Sequence, residues 1–177
     1  MSTKALLIID MQNESFSPEA NVYDTDGVVE RINALSDRCR KAGYPVIIIQ
    51  HDGTLQNEYL PGTDGWKLLP QITTTGNDIL ISKTANDSFY QTNLSAVLHQ
   101  HHVSELILTG SATDFCMDAT VHSALSKNYK VTVVQDGHTA GDRPHLKAQQ
   151  VINHYNWIWS NLTPTNISVK PASEIII

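Results

Sequence analysis

The stretch Glu105-Leu106-Ile107-Leu108-Thr109-Gly110-Ser111-Ala112-Thr113-Asp114-Phe115-Cys116-Met117-Asp118-Ala119-Thr120 decides how this chain is read. Its first five residues form an apolar run that reads as a buried strand. From about Thr113 to Lys127, the spacing of Ala119, Val121, Ala124 and Leu125 predicts a helix. Cys116 therefore stands where a strand turns into a helix. The positive end of a helix favours a thiolate, and the thiolate is the nucleophilic form of cysteine. The second cysteine, Cys39, shares a helical face with Ile32 and Leu35, so core packing accounts for it.

The same alternation extends in both directions. Ala5–Ile9, Val46–Gln50, Ile79–Ser82, Val131–Gln135 and Ile167–Lys170 are further strand candidates. Most are continuous Ile, Leu and Val runs, the pattern of strands covered on both faces. Val28, Ile32, Leu35 and Cys39 mark a helix that Gly43 stops. Leu94, Val97 and Leu98 mark a short one, and another begins near Pro144 and carries Leu146, Val151 and Ile152. Strand–helix–strand repetition implies right-handed crossovers and a three-layer α/β/α fold around a parallel sheet of about six strands. The tail after Asn161 reads as an edge strand and a terminal segment that packs on this domain or on a partner subunit. No repeat or linker interrupts residues 1–177, which read as one domain.

The stretch from His51 to Asp78 breaks the rhythm with Gly53, Pro61, Gly62, Gly65, Pro70 and Gly76 around Tyr59 and Trp66. A loop of this length in a compact domain is functional or mobile. Asp10 ends the first strand, Lys83 the third, and Cys116 follows the fourth. Ligands of open α/β sheets bind at that edge. A thiol needs a neighbouring cation or base, and Lys83 and Asp10 supply one of each.

The 177 residues hold 12 Lys and Arg against 18 Asp and Glu, a net charge of −6, with no basic stripe. Nucleic acid and acidic membrane are thereby disfavoured as partners. No apolar run approaches a membrane span, and the segment Met1–Asp10 reads as a strand rather than a signal peptide. Two cysteines in unlike settings do not make a disulfide framework, so the cytoplasm is the expected location.

Three ordered blocks, Leu7-Ile8-Ile9-Asp10-Met11-Gln12-Asn13, Lys83-Thr84-Ala85-Asn86-Asp87-Ser88-Phe89 and Gly110–Cys116, resemble the isochorismatase-like cysteine hydrolases, which include nicotinamidases and other amidases. Val133-Val134-Gln135-Asp136-Gly137-His138 also fits, and the resemblance runs from about Lys4 to Leu162. It implies strand order 3-2-1-4-5-6 and an Asp10–Lys83–Cys116 triad. It also implies a cis peptide at Ser111–Ala112 and an oxyanion hole from the backbone N–H groups of Ala112 and Cys116. The activity implied is hydrolysis of a small amide-like C–N bond through a thioester, without a cofactor, in a homodimer or larger homo-oligomer.

Metal-dependent nicotinamidases carry an Asp-x-His pair after the second strand. Here that stretch is Ile49-Gln50-His51-Asp52-Gly53, in the wrong order, so no metal is expected. A nicotinamidase with an unusual metal site is the alternative enzyme reading. A catalytically silent binding or redox-responsive relative is the reading from another class. Gln12, Phe16, His51, Trp66, Phe89 and Phe115 are the candidate pocket residues, with Phe115 best placed beside the nucleophile. His99, His101 and His102 read as a solvated helix end rather than a metal site.

Overall fold

Six strands pair in parallel in the order β3-β2-β1-β4-β5-β6, where β1 is Thr3–Ile9, β2 Val46–His51, β3 Ile79–Lys83, β4 Val103–Ser111, β5 Lys130–Thr139 and β6 Ile167–Lys170. The helices are α1 (Thr25–Lys41), α2 (Leu94–Gln100), α3 (Asp118–Ser126) and α4 (Ala148–Ser160). This computed structural model describes residues 3–163 and 166–177. Met1 and Ser2 of the N-terminal reading, and Pro164 and Thr165 of the tail, lie outside the described residues.

The continuous apolar runs have a direct structural cause. Every residue from Ala5 to Ile9 is fully buried, because successive side chains enter two different cores. Ala5, Leu7, Ile9, Ile49 and Leu108 pack with α2, α3 and Trp159 of α4. Leu6, Ile8, Ile48 and Ile107 pack with Val28, Ile32, Leu35 and Cys39 of α1. Cys39 is thus a core side chain, and burial pushes its thiol up to about 11. The chain terminus belongs to the second core. Ile175 is buried there, and the Arg38 guanidinium donates to the backbone carbonyls of Ala172 and Ile175.

Helix ends follow the sequence signals in part. Gly43, with φ of 74°, closes the chain behind α1. His99, His101 and His102 lie exposed at the end of α2. The helix expected near Pro144 starts only at Ala148. Ahead of it the Arg143 N–H donates to the Leu146 carbonyl, and Asp142 accepts the Ala148 N–H, so Leu146 stays in a loop. The helix expected over 113–127 is divided. Thr113–Met117 is a single π-helical turn, and α3 follows it.

Two irregularities shape the C-terminal edge of the sheet. Gly110, in register with Ile9, has φ of 128°, and a Cβ there would lie 2.1 Å from the Ile9 carbonyl oxygen. Only glycine lets β4 approach β1 so closely beside Asp10. In β5 the register jumps, so that Leu108 faces Val133 while Gly110 faces His138. That bulge carries His138 to the strand end that precedes Cys116.

Gly110→Ala is expected to lower unfolding stability by at least about 2 kcal/mol in urea titrations. Gly76→Ala, where a Cβ meets nothing within 4 Å, should change it by less than about 0.5 kcal/mol.

Candidate active site

Asp10 is the first residue beyond β1 and sits in the left-handed region, with φ of 49°; its N–H donates to the Ile49 carbonyl at 3.0 Å. Short polar side chains tolerate that conformation better than branched ones. Lys83, the last residue of β3, is in register with His51 of β2. Its stem crosses the strand end until Nζ lies 2.6 Å from Asp10 Oδ2. The same ammonium donates to the Ala85 carbonyl at 3.0 Å and lies 3.3 Å from Cys116 Sγ. The three reactive side chains therefore converge on one point, with the Asn86 side-chain oxygen 3.7 Å from the sulfur.

The turn that carries Cys116 is held from several sides. The Met117 N–H donates to the Ala112 carbonyl at 3.2 Å, the wide spacing of a π turn. The Ser111–Ala112 peptide bond is cis. Thr113 Oγ1 is 2.8 Å from His138 Nδ1, and the other ring nitrogen is 3.0 Å from Asn156. Burial holds His138 down to about 4, so at neutral pH it is an uncharged brace.

Electrostatics at the convergence point favour one protonation pattern. Burial pulls the Lys83 ammonium down, but Asp10 and Cys116 outweigh it, and the net shift is upward. Burial raises Asp10 despite Lys83. Burial first, and the Asp10 carboxylate second, push the Cys116 thiol up to about 12. Resting Cys116 is thus a thiol, with the Lys83 ammonium and Asp10 beside it. The thiolate favoured by helix position alone is overridden, since a helix terminus contributes only about 0.3–1 kcal/mol.

A cleft of about 420 Å³ opens over this group, lined by Asp10, His51, Ala112, Phe115 and Cys116 among others. Phe115 is half exposed at its rim. Four of the expected pocket residues point elsewhere. Gln12 is fully buried and braces the chain, with its amide bonded to the backbone of His51 and Trp66. Phe16 packs on the α1-side core. Trp66 turns to the outer edge near Ile48 and Leu68. Phe89 is swung inward by the Ser88–Thr120 hydrogen bond and stacks on Tyr129.

Other residues take those places. Glu58 and Tyr59 come from the long loop, Asn86 from the turn after β3, and Asp142 and Arg143 from the turn after β5. Asn86 stood in a quoted block and Tyr59 in the loop. Arg143 gave no sequence signal, because its partner Asp114 lies 29 residues away. No group of three His, Cys, Asp or Glu that could hold a metal ion occurs among the described residues. Asp52, beside His51, accepts the Thr54 N–H at 3.0 Å.

Residues 4–164 match the isochorismatase domain. The chain is 32% identical over 141 residues to a streptothricin hydrolase of Streptomyces noursei; the match covers 80% of this chain but spans about half, 51%, of that relative. It is 29% identical over 177 aligned positions to the nicotinamidase of Escherichia coli, covering 77% of this chain and 83% of that protein. A crystal structure of an isochorismatase family protein superimposes with a TM-score of 0.87 at 31% identity, over 94% of this chain and 96% of the other. The fold and the site define an α/β scaffold of this kind. The chain belongs to the isochorismatase family.

Asp10→Asn tests the charge pattern. Removing the carboxylate leaves Lys83 unopposed beside the sulfur, so the thiol should fall below about 12 and more thiolate should exist at pH 8. Alkylation of Cys116 at pH 8 is expected to accelerate about threefold or more, because the gain in thiolate outweighs its lower intrinsic nucleophilicity, read by peptide mass with buried Cys39 as the internal control.

Proposed function

We propose that this chain is a cysteine-dependent amidohydrolase acting on a small amide-like C–N bond, through Asp10, Lys83 and Cys116. The observation that carries the reading is the position of Lys83 Nζ, 2.6 Å from Asp10 and 3.3 Å from Cys116 Sγ, buried beneath the cleft that Asp10 and Cys116 line. The nicotinamidase relative is an amidase by name, which favours amide chemistry.

Substrate binds with its carbonyl carbon at Sγ. The thiol proton passes to Asp10 as sulfur attacks, so charge separates only at that moment and Lys83 steadies both anionic groups. The oxyanion is received by the backbone N–H groups of Ala112 and Cys116. Asp10, now protonated, gives its proton to the departing nitrogen, and ammonia or an amine leaves a thioester on Cys116. Asp10 then draws a proton from water, which cleaves the thioester and restores the thiol. The raised affinity of Asp10 for a proton suits both roles. No metal or cofactor takes part in this scheme. The same reading treats the chain as one catalytic domain, working in the cytoplasm as a homodimer or larger homo-oligomer.

Amide turnover, measured as released ammonia or amine across a panel of small amides, should fall roughly a thousandfold or more in both Cys116→Ala and Asp10→Asn. Wild-type enzyme quenched during turnover should carry an acyl mass on the peptide that contains Cys116. A fully active Cys116→Ala would sink the scheme.

A further inference from the structure

The cleft wall carries an uneven set of charges. Lys83 is committed to Asp10. Arg143 donates two N–H groups to Asp114, at 2.6 and 2.8 Å, and its guanidinium also lies 5.1 Å from the centre of the Phe115 ring. Asp142 is committed to Lys147 at 2.7 Å, Asn21 at 2.8 Å and the Ala148 N–H at 2.9 Å. His51 is held neutral by burial and by the nearby Lys83 charge. Glu58 is the exception. Its side chain takes part in no ion pair or side-chain hydrogen bond among the described residues, and it lines the cleft.

Glu58 is also held in place by its own backbone. The N–H groups of Gln56 and Glu58 both donate to the Gly53 carbonyl, at 2.9 and 3.1 Å. A Cβ on Gly53 would lie 2.6 Å from the Glu58 carbonyl oxygen, so this turn closes only on glycine. Tyr59, next in the chain, is tied at both ends. Its N–H donates to Glu14 at 2.8 Å, and its hydroxyl is 2.9 Å from Ser15.

From this inventory we infer that the cleft selects amides bearing a positive charge and rejects those bearing a carboxylate. Glu58 is the specificity-determining residue, and the Asp114 carboxylate offsets the Arg143 charge through its Nε and Nη2 N–H groups. A ligand carboxylate entering here meets the charge of Glu58 and finds the Arg143 guanidinium already balanced by Asp114. A ligand ammonium meets a carboxylate without a side-chain partner in a cleft that Tyr59 and the half-exposed Phe115 ring also line. The inference rests on the cleft being the substrate site, as proposed above.

Binding, rather than turnover, tests it independently of the mechanism. Hexanamide, its ω-ammonium derivative and its ω-carboxylate derivative are compared for protection of Cys116 from iodoacetamide at low ionic strength. The ammonium compound should protect at the lowest concentration and the carboxylate compound at the highest. Glu58→Gln should weaken the ammonium compound about fivefold and leave hexanamide unchanged, as suits an exposed charge pair. Asp114→Asn, which frees the Arg143 fork, should improve the carboxylate compound. Added salt should narrow the ammonium preference. Equal protection by all three, tightest binding by the carboxylate, no protection by the ammonium compound, or an unchanged ratio in Glu58→Gln would each overturn the inference. Loss of the catalytic scheme would show separately, as an active Cys116→Ala.

Discussion

The ion pair between Asp10 and Lys83 is the constraint around which the rest of the molecule is arranged. Both side chains are almost fully buried, at 7% and 0% exposure. Isolated, each charge would cost several kcal/mol to bring out of water. The pair persists because each partner is placed by a strand end that cannot move independently. Asp10 is fixed by the left-handed turn beyond β1, and Lys83 by its register with His51 across β2. The two apolar cores beneath them hold those strand ends at fixed separation. Gly110 then allows β4 to press against Ile9, which sets the height of the Cys116 turn above the pair.

That placement sets the state of the sulfur. Lys83 alone would draw Cys116 toward the thiolate, and so would the end of a helix. Burial and the Asp10 carboxylate act in the opposite direction and prevail, leaving the thiol near 12. The resting sulfur is therefore held as a thiol. The resting sulfur is correspondingly less open to oxidation, because susceptibility follows thiolate character.

The floor of the cleft and its wall obey different physical rules. The floor is built from strand ends and one strained turn, and is rigid because sheet register fixes it. The wall comes from irregular segments at 53–59 and 140–143, whose shape depends on scattered side-chain to backbone contacts. Gln12 is the hinge between the two. Its amide ties His51 and Trp66 together and so anchors both ends of the loop that presents Glu58 and Tyr59. The groups proposed to perform chemistry therefore stand on the rigid floor, whereas the residue proposed to select a substrate stands on the irregular wall.

The strands and the strand-end positions of Asp10 and Lys83, with Cys116 after the fourth strand, could be read from the sequence, because apolar runs and strand-end positions are local signals. Val46, Ile79 and Ile167 each begin a strand where the pattern places it. The resemblance supplied the strand order, which the sheet then displays. The helix near Pro144 was misjudged because Asp142 and Arg143 are engaged by distant partners, and that keeps the segment in a loop. Gln12, Phe16 and Phe89 look like pocket residues by proximity in sequence to reactive ones, and Trp66 by its place in the long loop. Only packing turns each of them away, through contacts with residues that are remote along the chain. The protonation of Cys116, the pairing of Arg143 with Asp114 and the unpaired state of Glu58 were likewise decided by tertiary structure. Each is a balance of burial and charge between groups far apart in sequence, and no local pattern encodes such a balance.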